Sequence, residues 1–207
     1  MMNDVLDRMG NSILSLIGIS RNLSSDYRRL IELLSENRYF ESKEPMQIRD
    51  RLTAVVRTKD GKVKLDESGK PMIRDTGWSI NGLTNIGLAE IAGLLLADVT
   101  EVTAFDYIAI GTGTTAFDPT QTSLVTETHR EAGTGTRVTT TVTNDTAQLV
   151  RTFSGYSGSE DITESGVFNA ATGGIMLCRQ TFSALPIDWD AGNALQISWR
   201  IQCKQGT

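Results

Sequence analysis

A few residues of the sequence could carry out chemistry, and their number limits what that chemistry could be. His129 is the one histidine among 207 residues, which excludes a metal site built from several histidines. Cys178 and Cys203 are the two cysteines, which excludes a four-cysteine zinc site. A serine–histidine–aspartate triad would have to use His129, which lies in a region rich in threonine and glycine. We therefore expect neither a metal nor a cofactor.

The glycine- and threonine-rich residues 111–115 invite comparison with a phosphate-binding loop, because they follow the apolar segment 107–110. A phosphate-binding loop needs a lysine after its second glycine. No lysine occurs between Lys70 and Lys204, and the Phe-Asp-Pro sequence at 117–119 prevents a helix from following. We interpret these residues as a glycine-permitted loop whose threonine hydroxyls bond the backbone, and we do not expect nucleotide binding.

Three carboxylates, Glu160, Asp161 and Glu164, are spaced closely enough to suggest acid–base catalysis or calcium binding. Glycoside hydrolysis needs two opposed carboxylates, which sequence spacing does not establish, and a calcium loop needs a denser set of oxygen ligands. We interpret the three as a solvated loop that enters a strand. Because no nucleophile, base and orienting group occur together, we predict no catalytic residues and a non-enzymatic protein, with a hydrolase as the minority alternative.

The cysteines and tryptophans are interpreted as structural. In the last segment, Leu195, Ile197, Trp199, Ile201 and Cys203 alternate with polar residues, which predicts a strand with one buried face. Cys178 and Cys203 are expected to be free buried thiols, with a disulfide left open as an alternative. The three tryptophans are expected in the core, although Trp78 could also lie at an interface.

The N-terminal segment is predicted to be helical, because apolar residues recur at alternating steps of three and four. Such a pattern favours either a two-helix hairpin that packs on the body or a coiled coil that joins subunits, with a trimer as one candidate state. The residues of this apolar stripe are predicted oligomer or lattice contacts: Leu6, Met9, Ile13, Leu16, Leu23, Tyr27, Leu30 and Leu34.

A basic β-hairpin is predicted after a polar connector at residues 39–50. Residues 52–58 have the pattern of a strand, Asp60-Gly61 is a turn signal, and residues 62–65 are expected to return as the second strand. Such a hairpin is either a solvated edge that discourages aggregation or a docking surface for an acidic neighbour. Its basic residues are also predicted oligomer or lattice contacts: Arg57, Lys59, Lys62 and Lys64.

The distribution of threonine indicates a change of architecture along the chain. Threonine is absent from the first fifty residues and frequent from residue 100 to 146, and it favours strands. A second helix is predicted at residues 84–98, before a series of short strands and turns. The predicted fold class is α+β, mainly β: a helical arm (1–38), a β-hairpin and helix connector (39–100), and a jelly-roll-like antiparallel β-sandwich (101–207).

Charge and hydropathy exclude further classes of protein. The chain carries a net charge of −5, a poor starting point for binding the nucleic-acid backbone, so no nucleic-acid partner is expected. No apolar run reaches the roughly 18–20 residues of a membrane span, so no membrane partner is expected. The N-terminus lacks the pattern of a secretory signal. A basic hairpin on one copy could meet an acidic face on the next.

Several segments between residues 78 and 203 resemble a module found in virion proteins of tailed bacteriophages, whereas residues 1–75 resemble no family. This family implies no catalytic residues. The segments that carry the resemblance are 81–87 (NGLTNIG), 105–116 (FDYIAIGTGTTA), 119–124 (PTQTSL) with Glu127, 162–170 (ITESGVFNA), 173–182 (GGIMLCRQTF) and 195–201 (LQISWRI).

The resemblance implies a structural protein of the virion, present in the host cytoplasm during assembly. The leading hypothesis is an auxiliary protein that stabilises or decorates the capsid, with further copies of itself and the major capsid protein as partners. A tail, baseplate or fibre-attachment subunit is the alternative. A carbohydrate-binding, receptor-binding module is a third class.

Overall fold

The computed structural model of the chain describes residues 46–80, 82–96 and 103–204. The predicted helical arm and its heptad residues 6–34 lie outside the described residues. The elements are β1 (Gln47–Arg57), β2 (Ile73–Asp75), α1 (Asn85–Leu96), β3 (Tyr107–Gly111), β4 (Glu127–Ala132), β5 (Thr134–Val138), β6 (Thr146–Phe153), β7 (Ser159–Phe168), β8 (Met176–Asp188) and β9 (Ala194–Lys204).

The strands form two antiparallel sheets. The first sheet has the order β2-β1-β9-β6-β5, and the second has the order β4-β3-β7-β8. The prediction of a mainly β protein with antiparallel strands and a short helix is confirmed. Consecutive strands pair as four separate hairpins, and the jelly-roll topology stays a prediction.

The predicted connector at 39–100 contributes strands to the first sheet. β1 pairs with β9 along its whole length, from Gln47 opposite Lys204 to Arg57 opposite Ala194. The division between a connector and a sandwich that starts at residue 101 is therefore wrong for residues 47–75. Arg49 lies in the segment predicted as a polar connector, but it alternates with the buried face of a strand that begins at Gln47.

The predicted return at 62–65 is confirmed only in part, because the chain turns back on β1 through the antiparallel bridge of Arg57 with Val63 without forming a strand. The Asp60-Gly61 turn is confirmed, since the Gly61 amide donates to the Thr58 carbonyl at 2.8 Å and Gly61 has a φ of 76°. Beyond the turn, however, residues 62–65 form only isolated bridges. The strand that pairs with β1 comes later, with Ile73 opposite Val55.

The two sheets share one hydrophobic core between their inner faces. Leu52, Ile197 and Trp199 come from the first sheet, and Ile108 and Leu185 come from the second; all five are fully buried. A smaller apolar cluster lies on the other side of the second sheet: Ala109, Leu124, Phe168 and Met176, with Tyr107 against it. Both faces of the second sheet are therefore covered, and its outer cover includes the loop that carries Leu124.

The predicted helix at 84–98 is confirmed as α1. Thr84 precedes it and caps it, since its hydroxyl oxygen accepts the Gly87 amide at 3.0 Å. The Thr84 amide also donates to the Leu177 carbonyl at 3.0 Å, which ties the start of the helix to β8. No helix in the described ranges combines the length and apolar character needed to cross a membrane.

The predicted burial of alternate residues in β9 holds as far as Trp199 and changes at Gln202 and Cys203. Cys203 is exposed, and its neighbour Gln202 is fully buried. Residues 139–145 form a loop that covers Gln202, whose amide donates to the Asp145 carboxylate at 2.6 Å. The expectation of two buried thiols is thus confirmed for Cys178 and wrong for Cys203, and both are free thiols.

Candidate functional site

A fully buried ion pair joins β7 and β8 on the outer side of the second sheet. The Arg179 Nε donates to the Glu164 Oε2 at 2.7 Å, and neither side chain is exposed. The two terminal nitrogens of Arg179 donate to the Gln121 side-chain oxygen at 3.1 Å and to the Thr115 carbonyl at 2.8 Å. The guanidinium is therefore satisfied by a carboxylate on one side and by the 112–126 loop on the other.

The Glu164 carboxylate holds the same loop through backbone amides. It accepts the N–H groups of Gly113 at 3.0 Å, Val125 at 3.2 Å and Thr126 at 2.7 Å. The Thr163 hydroxyl donates to the Gly113 carbonyl at 2.9 Å. The glycine-rich loop thus binds an internal carboxylate, and its two ends are fixed against β7.

The interpretation of Glu164 as part of a solvated loop is wrong. The residue lies within β7 and is fully buried. The pairing of β7 with β8 shifts register between Ile162 and Glu164, and both Thr163 and Glu164 bond the 112–126 loop. Burial of the charge is tolerated because Arg179 and three backbone amides compensate it.

Replacing Gly113 by alanine is expected to destabilise the protein by about 1–3 kcal/mol, because the added methyl group would overpack the site. A Cβ on Gly113 would lie 2.3 Å from the Glu164 Oε1. Urea denaturation followed by tryptophan fluorescence measures the loss. Gly135→Ala is the matched control, since its nearest neighbour would be 3.9 Å away. Equal stability of the two variants would contradict the tight fit.

A second cluster surrounds His129 at the junction of β4 and β7. The His129 Nε2 lies 2.6 Å from the Glu160 Oε1, and the same oxygen accepts the Trp189 indole N–H at 3.0 Å. The His129 ring stacks on Tyr156 with centroids 3.6 Å apart. Tyr156 in turn donates to Glu131, which also pairs with Arg151.

The polar contacts of this cluster act on the Glu160 carboxyl. Partial burial acts to raise its pKa, but the bonds from His129, Thr128 and Trp189 outweigh burial and leave the pKa below its usual value. Partial burial also raises the pKa of Tyr156. Glu160 is therefore held as a carboxylate by three donors, an arrangement that fixes β4 against β7.

The described residues contain no group of three or more histidine, cysteine or acidic side chains arranged to hold a metal ion. The Cys178 thiol is fully buried, and burial together with the charge of Asp50 raises its pKa well above the usual value. A thiol with a raised pKa is a poor nucleophile, so Cys178 is inert at neutral pH.

The predicted contact residues of the basic hairpin lie on different surfaces. Arg57 lies on the outer face of the first sheet and donates to the Gln196 side-chain oxygen at 2.6 Å. Lys59 and Lys62 are exposed beside the Asp60-Gly61 turn. Lys64 lines a groove of about 750 Å³ next to β7 and β8. The heptad residues predicted as contacts lie outside the described ranges.

Sequence analysis did not single out the arginines that share a face with Arg57. Arg49 and Arg51 on β1 and Arg200 on β9 point to the same outer side, because residues 52, 54 and 56 of β1 face the core. The Arg49 guanidinium also lies 4.6 Å from the ring centre of Trp78, which is half-buried. The alternation of arginine with apolar residues at 49–56 is the signal that could have identified this face.

Comparison with known proteins finds no family model, no curated protein and no solved structure that matches the chain.

Proposed function

We propose that the protein is a non-enzymatic structural component of a bacteriophage virion, most directly an auxiliary protein that attaches to the capsid and stabilises or decorates it. Its partners would be further copies of itself and the major capsid protein. Its location would be the virion, and the host cytoplasm during assembly. A tail, baseplate or fibre-attachment subunit is the alternative within the same class.

One observation carries the proposal: the segments that resemble virion proteins meet at the buried Glu164–Arg179 pair. Gly113 lies in the 105–116 segment, Glu164 in the 162–170 segment and Arg179 in the 173–182 segment. Their shared role is to hold a loop on a sheet. The residues in the segments that carry the resemblance thus stabilise the fold together. Such a role suits a structural protein, which acts by binding its neighbours.

The two sheets with their shared core would form a β-sandwich that presents rigid outer surfaces. Strands place side chains at fixed positions on a sheet face, so a sandwich suits repeated contacts in an ordered assembly. The predicted helical arm at 1–38 would add a second means of attachment. Weak contacts summed over many subunits can give firm attachment to a capsid.

Quantitative mass spectrometry of purified virions tests the proposal. The phage or prophage that encodes the chain is induced, its particles are purified, and the copy number of the protein is measured against the major capsid protein. Hundreds of copies would support capsid attachment, whereas a small multiple of three or six would support a tail location. Absence of the protein from purified particles would contradict both versions.

A further inference from the structure

The outer face of the first sheet carries positive charge that the described residues only partly neutralise. Arg51 lies directly opposite Arg200 in the pairing of β1 with β9, and like charges in that position destabilise a sheet. Arg51 is paired with Asp75. Arg200 donates to the neutral side chain of Gln148 at 2.8 Å, and its charge also acts on Asp75. One carboxylate is thus shared by two opposed arginines, so the pair keeps a net positive charge that an acidic partner would relieve.

Two more arginines of this face also have neutral acceptors. The Arg49 Nε donates to Gln202 at 2.7 Å, and Arg57 donates to Gln196 at 2.6 Å. A glutamine orients a guanidinium without cancelling its charge, so less side-chain entropy is lost when a carboxylate binds. The basic sheet face is defined by these four arginines with Asp75: Arg49, Arg51, Arg57 and Arg200.

Trp78 adds an aromatic contact to the basic sheet face. The Arg49 guanidinium lies 4.6 Å from its ring centre, within the range of a cation–π interaction. Arginine and tryptophan are the residue types most enriched among those that dominate binding energy at protein interfaces. The composition of this face is therefore that of a protein-binding surface.

An acidic groove lies on a different part of the molecule. The 64–68 loop forms one side, and residues of β7 and β8 form the other, around a volume of about 750 Å³. Its charged lining includes Lys64 and four carboxylates besides Glu160: Asp66, Glu67, Asp161 and Asp188. The groove shares no residue with the basic sheet face.

We propose that the basic sheet face of one copy binds the acidic groove of a second copy. Four arginines with one carboxylate would face five carboxylates with one lysine, which gives complementary charge. Because the two surfaces differ, the contact is head-to-tail and repeats into a ring or a filament. This contact would name the two surfaces and the partner, a second copy of the chain, through which the protein self-assembles. Its biological setting rests on the proposed function.

A charge-reversal experiment on the full chain tests the contact. The basic-face variant carries Arg49→Glu and Arg200→Glu, the acidic-groove variant carries Glu67→Lys and Asp161→Lys, and Arg137→Glu is the control for changed charge elsewhere. Sedimentation velocity over a range of protein and salt concentrations measures association. Each double variant is expected to raise the dissociation constant at least about tenfold, and the control to leave it within about twofold.

Mixing the two variants gives the decisive result. The basic-face variant keeps an intact groove, and the acidic-groove variant keeps an intact basic face. Between unlike copies both contacts are complementary, because the intact basic sheet face meets the intact groove and the two reversed surfaces also carry opposite charges. The mixture should therefore associate although neither variant associates well alone. Any association through residues 6–34 is the same in every variant, because none of them changes that segment. Added salt of about 0.5 M should weaken the contact in the wild type.

Three outcomes would overturn the inference: association unchanged by either reversal, a mixture that behaves as the sum of its parts, or equal weakening by Arg137→Glu. Circular dichroism checks that each variant is folded, and Arg49→Gln with Arg200→Gln provides a milder basic-face variant. These results are separate from the virion measurement. If the protein is found in virions but the charge reversals do not change its association, the proposed function stands and the proposed contact is contradicted.

Discussion

Replacing Arg179 by methionine should lower the free energy of unfolding by about 3–5 kcal/mol, because it leaves the buried Glu164 charge without its cationic partner. The pair lies 2.7 Å apart with neither side chain exposed. Three backbone amides would remain as donors to Glu164, but they do not supply a full compensating charge. Urea denaturation of the full chain, followed by the emission of buried Trp199, measures the change.

A complete double-mutant cycle isolates the interaction free energy of Glu164 and Arg179 from the effects of their other contacts. Glu164→Gln alone should destabilise strongly, since Arg179 would then be the uncompensated charge. The double variant should lose less than the sum of the two single losses, with a coupling of about 1–3 kcal/mol. Hydrogen exchange should show loss of protection at the amides of Gly113 and Thr126 whenever Glu164 is changed.

An exposed ion pair in the same protein provides the matched control. Arg51 and Asp75 form a pair whose side chains are 34% and 35% exposed. Arg51→Met should cost at most about 1 kcal/mol, because solvent screens such pairs. If Arg179→Met cost no more than Arg51→Met, the Glu164–Arg179 pair would not stabilise the scaffold as its burial indicates.

The strands of this region follow from the sequence pattern, but the Glu164–Arg179 pair that joins them does not. Glu164 lies between Thr163 and Ser165, so its surroundings look polar and the sequence favoured a solvated loop. Burial depends on the register shift in β7 and on Arg179 of the neighbouring strand, and neither follows from local pattern. The available signal was a lone arginine in the apolar segment 176–179 of a predicted strand, which requires a buried acidic partner.

In β9 the alternation of apolar and polar residues predicts burial for part of the strand only. Period-two alternation correctly places Leu195, Ile197 and Trp199 on the buried face, because both neighbours of β9 are strands of the same sheet. The alternation itself continues at Gln202 and Cys203. What changes is the solvent exposure of the outer face, because the 139–145 loop packs over Gln202 and buries it. Cover by a distant loop is a tertiary property that the sequence of one strand does not contain.

The contacts of the residues that could do chemistry were not predictable from the sequence. His129 was identified as the one histidine, but its contact with Glu160 joins residues 31 positions apart. Its stacking on Tyr156 depends on the return of the chain after β6. Contacts of this kind follow from topology, which one sequence without relatives does not fix.

Asp50 is a buried carboxyl that links the two sheets. Its Oδ1 accepts the Gln180 amide from β8 at 2.7 Å, while its Oδ2 has no hydrogen-bond partner within the described residues. Gly82 packs against it so closely that an added Cβ would lie 2.0 Å from Oδ2. Burial raises the pKa of Asp50 to about 6, although the bond from Gln180 acts to lower it.

The raised pKa predicts that Asp50 makes the protein more stable as the pH falls. The folded state holds the proton more tightly than the unfolded chain, whose carboxyl titrates near 3.8. Between about pH 7 and pH 4 the contribution of Asp50 to the free energy of unfolding should therefore rise by about 2 kcal/mol. Carboxyls with lowered pKa values, such as Asp75 and Glu160, act in the opposite direction over the acidic range.

Comparison with Asp50→Asn isolates this contribution from the opposing carboxyls. The variant cannot ionise at residue 50, so it should be more stable than the wild type near pH 7 and similar to it near pH 4. The difference between the two proteins should shrink most steeply around pH 5, midway between the pKa of about 6 in the folded state and that of 3.8 in the unfolded chain. A difference that stayed constant from pH 7 to pH 4 would show that Asp50 does not change its protonation on folding. Asp75→Asn should not reproduce this pH-dependent gain, because the bond from Arg51 lowers the pKa of Asp75 and that carboxyl stabilises the fold when it is charged.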